Sequence, residues 1–114
     1  MTRQERAVIA TLKRARKLIS KPERWHKFCP ARNASGRAVS YTAPSAVSFC
    51  AIGATGRAAQ AMHGQHLDME ADRALGHGLR VGIASWNDHP RRAHAQVIAR
   101  FDRTIARLES GGGK

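Results

Sequence analysis

The sequence predicts an all-α fold: a small single-domain bundle of about four helices, with a long irregular connection between the first and the second. Three observations point there. Apolar residues recur at helical spacing near both ends, with Val8, Leu12, Ala15 and Ile19 on one stripe and Val97, Ile98, Phe101, Ile105 and Leu108 on another. Aromatic residues are few, at 5%, while alanine and glycine abound, which suits closely approaching helices better than a bulky aromatic core. A chain of 114 residues that is 42% hydrophobic can bury one modest core without staples. Residues 1–110 make that domain, and 111–114 are a flexible glycine-rich tail.

Helix 1 begins at a capping box, Thr2 with Glu5, and runs to about Ser20, where Lys21-Pro22 stops it. Trp25 and Phe28 then supply two large apolar groups that are expected to fold the connection back onto the core. Residues 29–44 read as irregular, punctuated by Pro30, Asn33, Ser35-Gly36 and Pro44, with at best a short extended piece over 37–41. The second helix is expected from about Thr42, with Pro44 in its first turn, to about Met62, as the central and most buried helix. Gly53 and Gly56 inside it each cost about 1 kcal/mol against alanine, which a helix tolerates where another backbone must come close. A weaker third helix covers roughly 67–79. After a short apolar segment at 81–86, Asn87-Asp88-His89-Pro90 breaks the chain, and the last helix occupies about 92–109. The first and last helices flank the second, and mostly local contacts predict fast, cooperative folding.

Charge narrows the class of partner. Twenty Lys and Arg stand against eight Asp and Glu, a net +12, and residues 1–37 hold eleven of the basic residues with only Glu5 and Glu23 opposing them. On helix 1 the face opposite the apolar stripe carries Arg3, Arg6, Lys13, Arg14 and Lys17; on the last helix Arg100, Arg103 and Arg107 lie opposite the apolar side. A basic row backed by an apolar stripe holds its cations in fixed positions for a polyanion or an acidic protein surface. The N-terminus is charged and lacks the apolar stretch of a secretory signal, and the run at 46–54 is far too short to span a bilayer. A bacterial cytoplasm is therefore expected, where Cys29 and Cys50 stay reduced, although an Arg-rich amphipathic start also fits an organelle transit peptide.

Two strings stand apart from the helical pattern: Cys50-Ala51-Ile52-Gly53-Ala54 and Trp86-Asn87-Asp88. With Pro22 to Trp25 before them and Phe101-Asp102 after, they cover nearly the whole chain in order. In these strings the chain resembles an uncharacterised family of small bacterial and phage proteins. That family carries Pro-x-x-Trp, a Cys-Ala-(Leu/Ile)-Gly-Ala helix and a Trp-Asn-Asp turn before an amphipathic last helix. The resemblance implies no activity. It places a threonine where Ala93 stands here, so Asp88 is expected to cap the last helix instead.

Each chemically suggestive group has a plain structural alternative. Cys50 would need a base and an orienting group to act as a nucleophile, and His89, Asn87 and Asp88 are of the right types. Mid-helix among Phe49, Ala51 and Ile52, however, a cysteine behaves as a small buried hydrophobe. Trp86-Asn87-Asp88 reads first as a capping turn with a tryptophan at the core edge. The alternative is a pocket in which Trp86, with Trp25, stacks on a base or ring while Asn87 and Asp88 read its polar edge. His63 with His66, His26 with Cys29, and His89 with His94 reproduce no zinc spacing, and the glycines form no phosphate loop, so neither metal nor cofactor is expected.

The leading functional expectation is a non-enzymatic binding module that contacts nucleic acid or a phosphorylated small ligand through its helical cations. The connection after helix 1 is too long for a helix-turn-helix, so strong sequence specificity is not expected. A second reading is a phage-type inhibitor of a host defence protein, docking on an acidic host surface or, as an oligomer, enclosing a nucleotide signal. A third is a cysteine-dependent enzyme built on Cys50.

Overall fold

The computed structural model describes residues 1–62 and 66–111. Within them the chain forms α1 (Arg3–Leu18), a 3-10 turn (Pro22–Arg24), β1 (Ala31–Arg32), β2 (Ala38–Val39) and β3 (Ser48–Phe49). These are followed by α2 (Ala51–Ala61), α3 (Leu67–Leu75), α4 (Ile83–Asp88) and α5 (His94–Glu109). The fold is mostly helical rather than all-α, because a small sheet of order β2-β1-β3 is built from the connection expected to be irregular and from the start expected of the second helix. The expected tail beyond residue 111 and His63 of the His63–His66 pair lie outside the described residues.

The predicted capping box is present: Thr2 Oγ1 accepts from Glu5 N and Glu5 Oε1 accepts from Thr2 N, both at 3.0 Å. From there α1 buries Val8, Ile9, Leu12 and Ala15 against α2, α3 and α5. Its hidden hydroxyl, Thr11 Oγ1, donates to the Ala7 carbonyl one turn back, as Thr104 Oγ1 does to Arg100 in α5. α5 lies on α1 and α3 rather than beside α2, so α1 takes the middle position expected of α2. Arg16 closes this seam with both Asp102 oxygens, and Lys13 reaches Glu109 at 2.8 Å. As exposed pairs these contribute little beyond register.

The sheet is antiparallel throughout, with Ala31 opposite both Val39 and Phe49. Asn33 makes the β1–β2 turn: its Oδ1 accepts from Ser35 N and Arg37 N, and Gly36 takes φ +83°. β3 is the reason the second helix starts later than the sequence predicts. Phe49 is held by β1, so the chain enters α2 only at Cys50, the N-cap, while Pro44 lies in a turn. The two glycines of α2 do serve close approach. The Pro30 backbone lies against Gly53 and the Tyr41 ring over Gly56.

Three further boundaries differ. α3 ends at Leu75, and Asn87-Asp88 form the last turn of a short helix rather than a chain break. Asp88 does not cap α5. Its N-cap is Ala93, whose N–H is taken by Gln96 Oε1 at 2.9 Å, because the Asp88 carboxylate is engaged elsewhere.

Between α2 and α3 lies a half-buried carboxyl. Asp72 Oδ1 is 2.5 Å from Thr55 Oγ1, which also reaches the Ile52 carbonyl at 2.9 Å. Burial, with Asp68 nearby, pushes Asp72 up to about 7 against the favourable contact from Thr55. Below that pH the carboxyl donates to Thr55, whose own proton goes to Ile52. Between about pH 4 and 7 the folded state binds a proton that the unfolded state has released, so this group makes stability fall as pH rises. Asp72→Asn, neutral at every pH, should gain about 2–3 kcal/mol on the parent between pH 5 and pH 8. Urea titrations of both proteins at the two pH values check this. An equal difference at both would exclude the linkage.

Candidate functional site

The three strings singled out in the sequence meet at one side chain. Asn87, fully buried on α4, accepts at Oδ1 from the Trp25 indole Nε1 (2.7 Å) and from Ala51 N (3.1 Å), in the first turn of α2. Its Nδ2 donates to the His26 carbonyl (3.2 Å) and to Asp88 Oδ1 (3.0 Å). All four hydrogen-bonding positions of the amide are filled, so Asn87 has none left for a ligand. It is a clasp joining the connection after α1, the start of α2 and the end of α4.

What the clasp holds is the 25–32 segment. Trp25 tucks in, half-buried, with Lys27 Nζ 5.8 Å and the His94 ring 6.2 Å from its ring centre. Lys27 Nζ also donates to the His89 and Pro90 carbonyls at 2.7 and 3.1 Å. Asp88 Oδ1 accepts from Phe28 N at 2.9 Å. Pinned this way, Phe28 sits at φ +80°, a left-handed conformation that costs a residue with a Cβ about 1–2 kcal/mol. Its ring is 73% exposed. Of the two aromatics expected to fold back onto the core, only Trp25 does. The sequence signal that could have separated them is that Phe28 follows Lys27 and belongs to no apolar periodicity.

Behind Phe28 runs a polar relay. His26 Nε2 donates to the Cys29 carbonyl at 2.7 Å; a carbonyl only accepts, so this fixes the tautomer and leaves Nδ1 to accept from Ser48 Oγ at 2.7 Å. Burial pushes the imidazole pKa down, against the favourable Cys29 contact, which keeps the ring neutral. Cys29 Sγ lies 3.2 Å from Arg32 Nε and 3.6 Å from His26 Nε2. Cys50 differs from its expected mid-helix place: it caps α2, its Sγ accepting from Gly53 N at 3.5 Å. Burial pushes that thiol up, and among the described residues no side chain able to deprotonate it hydrogen-bonds to it. His89, the base considered for it, is exposed and accepts from Arg91 N.

Trp86 lies against two arginine side chains. It is half-buried, with the Arg92 guanidinium 3.9 Å and that of Arg100 5.8 Å from its ring centre. A cavity of about 250 Å³ opens between α1, α3 and α5, where Glu5 and Glu70 face Arg73, His77 and Arg107. Neither tryptophan lines it, and its charge is mixed.

The expected cationic rows divide into two groups. Arg100 donates to the Leu75 and His77 carbonyls at 2.7 and 2.6 Å, and Arg107 to Ala74 at 2.9 Å. Both close the C-terminal end of α3, where carbonyls lack helical partners. Arg103 remains exposed on α5. On α1, Arg3, Arg6, Lys13, Arg14 and Lys17 are all exposed. Lys13 is paired with Glu109 and Arg6 donates to the Met1 carbonyl, while Arg3, Arg14 and Lys17 have no hydrogen bond or ion pair among the described residues.

The profile of a family of unknown function (DUF6197) matches residues 3–107. No curated protein and no solved structure matches the chain.

Proposed function

The chain belongs to this DUF6197 family, and with no activity to inherit from it we propose that the protein is a non-enzymatic module binding nucleic acid through the outer face of α1. The observation that carries the reading is the contrast between the two arginine-bearing helices. Where α5 turns Arg100 and Arg107 inward onto carbonyls, α1 keeps Arg3, Arg6, Arg14 and Lys17 exposed, with no acidic partner among the described residues. From Arg3 to Lys17 the row spans about 21 Å at 1.5 Å per residue, enough to face several successive phosphates. A chain of net charge +12 supplies the long-range attraction.

Fluorescence anisotropy against labelled duplex DNA, single-stranded DNA and RNA, at low and moderate salt, tests it. If four cations each neutralise a phosphate, log K should fall with log salt with a slope of roughly −3.6 on duplex. Replacing Arg14 and Lys17 together by glutamine should flatten that slope by roughly 2 and weaken binding to every sequence alike. No binding to any of the three at low salt would discard the reading and favour an acidic protein surface as the partner of the same row.

A further inference from the structure

Phe28 is a ring held in the wrong place for packing. It is 73% exposed, so it adds nothing to the core, yet the chain accepts a left-handed backbone there that glycine would adopt without a penalty. The segment is not slack: Phe28 N is bonded to Asp88, Lys27 is tied to the 89–90 carbonyls, and Asp88 is itself held by Asn87. Its exposed neighbours in the chain and across the tie include Arg24, His89 and Arg91. A rigid, outward aromatic ring on a cationic surface has one well-suited occupant. A lone ring is far short of the roughly 800 Å² per partner that a stable protein interface buries, but it is the full area needed to stack one base. Bases in a duplex are already stacked on each other, so the free face must come from a single strand.

We propose that Phe28 is a base-stacking platform, and that the nucleic acid this protein binds is single-stranded. The inference rests on the nucleic-acid reading above and narrows it. Phosphates meet the α1 row and the cations around the 25–32 segment, while one unpaired base lies on Phe28.

The test is anisotropy with a labelled oligothymidylate of about a dozen nucleotides, the corresponding duplex, and vesicles containing anionic lipid. The proteins compared are the parent, Phe28→Ala, Phe28→Leu and Phe28→Trp. The parent should bind the single strand more tightly than the duplex. Phe28→Ala and Phe28→Leu should each weaken single-strand binding about ten-fold or more, with duplex binding and the salt slope unchanged, and Phe28→Trp should retain it. Leucine keeps the apolar volume without the π-face, so its loss of binding separates stacking from general hydrophobic contact. Unchanged single-strand affinity in Phe28→Ala would overturn the proposal, even with duplex binding intact. Vesicle binding by the parent that Phe28→Leu keeps and Phe28→Ala loses would overturn it in favour of a membrane surface. Absence of all nucleic-acid binding by the parent would instead remove the reading on which the proposal stands. Because the ring is exposed, all four proteins should show the same circular dichroism and unfolding midpoint within a few degrees.

Discussion

Asn87→Ala is expected to lower the stability of the domain by about 3–5 kcal/mol, a large part of what a chain of this size possesses. The truncation leaves the Trp25 indole N–H, the Ala51 N–H and the His26 carbonyl without partners, the Ala51 N–H in a buried place and the other two in half-buried ones. Each such group costs roughly 1–3 kcal/mol, moderated where water enters the space left behind. Asn87→Leu should do no better, since filling the volume satisfies none of the three. Asn87→Asp is the finer probe. It keeps the Oδ1 acceptor for Trp25 and Ala51 but turns a second oxygen toward the His26 carbonyl and the Asp88 carboxylate. Its damage should therefore shrink as the pH falls and the new carboxyl gains a proton. Urea unfolding followed by tryptophan fluorescence reads both effects. A loss below about 1 kcal/mol for Asn87→Ala would mean that the clasp is incidental.

Gly53→Ala should be similarly harmful, by about 3 kcal/mol, and the sign is what makes it informative. Inside a helix the change ordinarily stabilises by up to about 1 kcal/mol. Here the added Cβ would collide with the carbonyl and Cα of Pro30, main-chain atoms fixed by the pairing of β1 with β3. They cannot swing aside as a side chain does. Gly56→Ala supplies the comparison in the same helix: its Cβ would come within 2.9 Å of the Tyr41 ring, a half-buried side chain free to shift. Thermal unfolding should rank parent, Gly56→Ala and Gly53→Ala in that order. A Gly53→Ala protein as stable as the parent would show that the sheet is not seated on α2 as described.

What the sequence made legible was what repeats at helical spacing or sits at a helix start. The apolar stripes of α1 and α5 and the Thr2–Glu5 capping box read correctly because each rests on neighbours three or four residues away. Of the strands, only β2 was legible, as the short extended piece over 37–41. Each is two residues long, which is too short for alternation to register, and their pairing depends on partners distant in the chain, as Ala31 is from Phe49. Pro44 followed by small residues reads as a helix start; only the pairing of Phe49 with Ala31 moves that start to Cys50. The site was half legible. Trp86, Asn87, Asp88 and Trp25 stood out as a group, but that Asn87 clasps Trp25 while Trp86 lies against arginines and Phe28 is left exposed is a tertiary fact. In the same way, Arg100 on a helical wheel looks solvent-facing until α3 brings carbonyls to it.

The clasp also bears on the order in which the chain assembles. Trp25 and Asn87 are 62 residues apart, and bringing such ends together costs about 4 kcal/mol of chain entropy. The three hydrogen bonds at Asn87 and Asp88 that bridge them, Trp25 to Asn87, Asn87 to the His26 carbonyl and Phe28 to Asp88, return about 1 kcal/mol net apiece, nearly the same amount. On its own the contact is therefore close to neutral and cannot nucleate anything. It forms once α1, α2 and α3 have packed and carried the two segments near each other, so it follows the helix packing rather than leading it. Phe28 is accordingly held outward only on a chain whose helical core is already complete, and a partly folded chain does not hold the ring in this outward position.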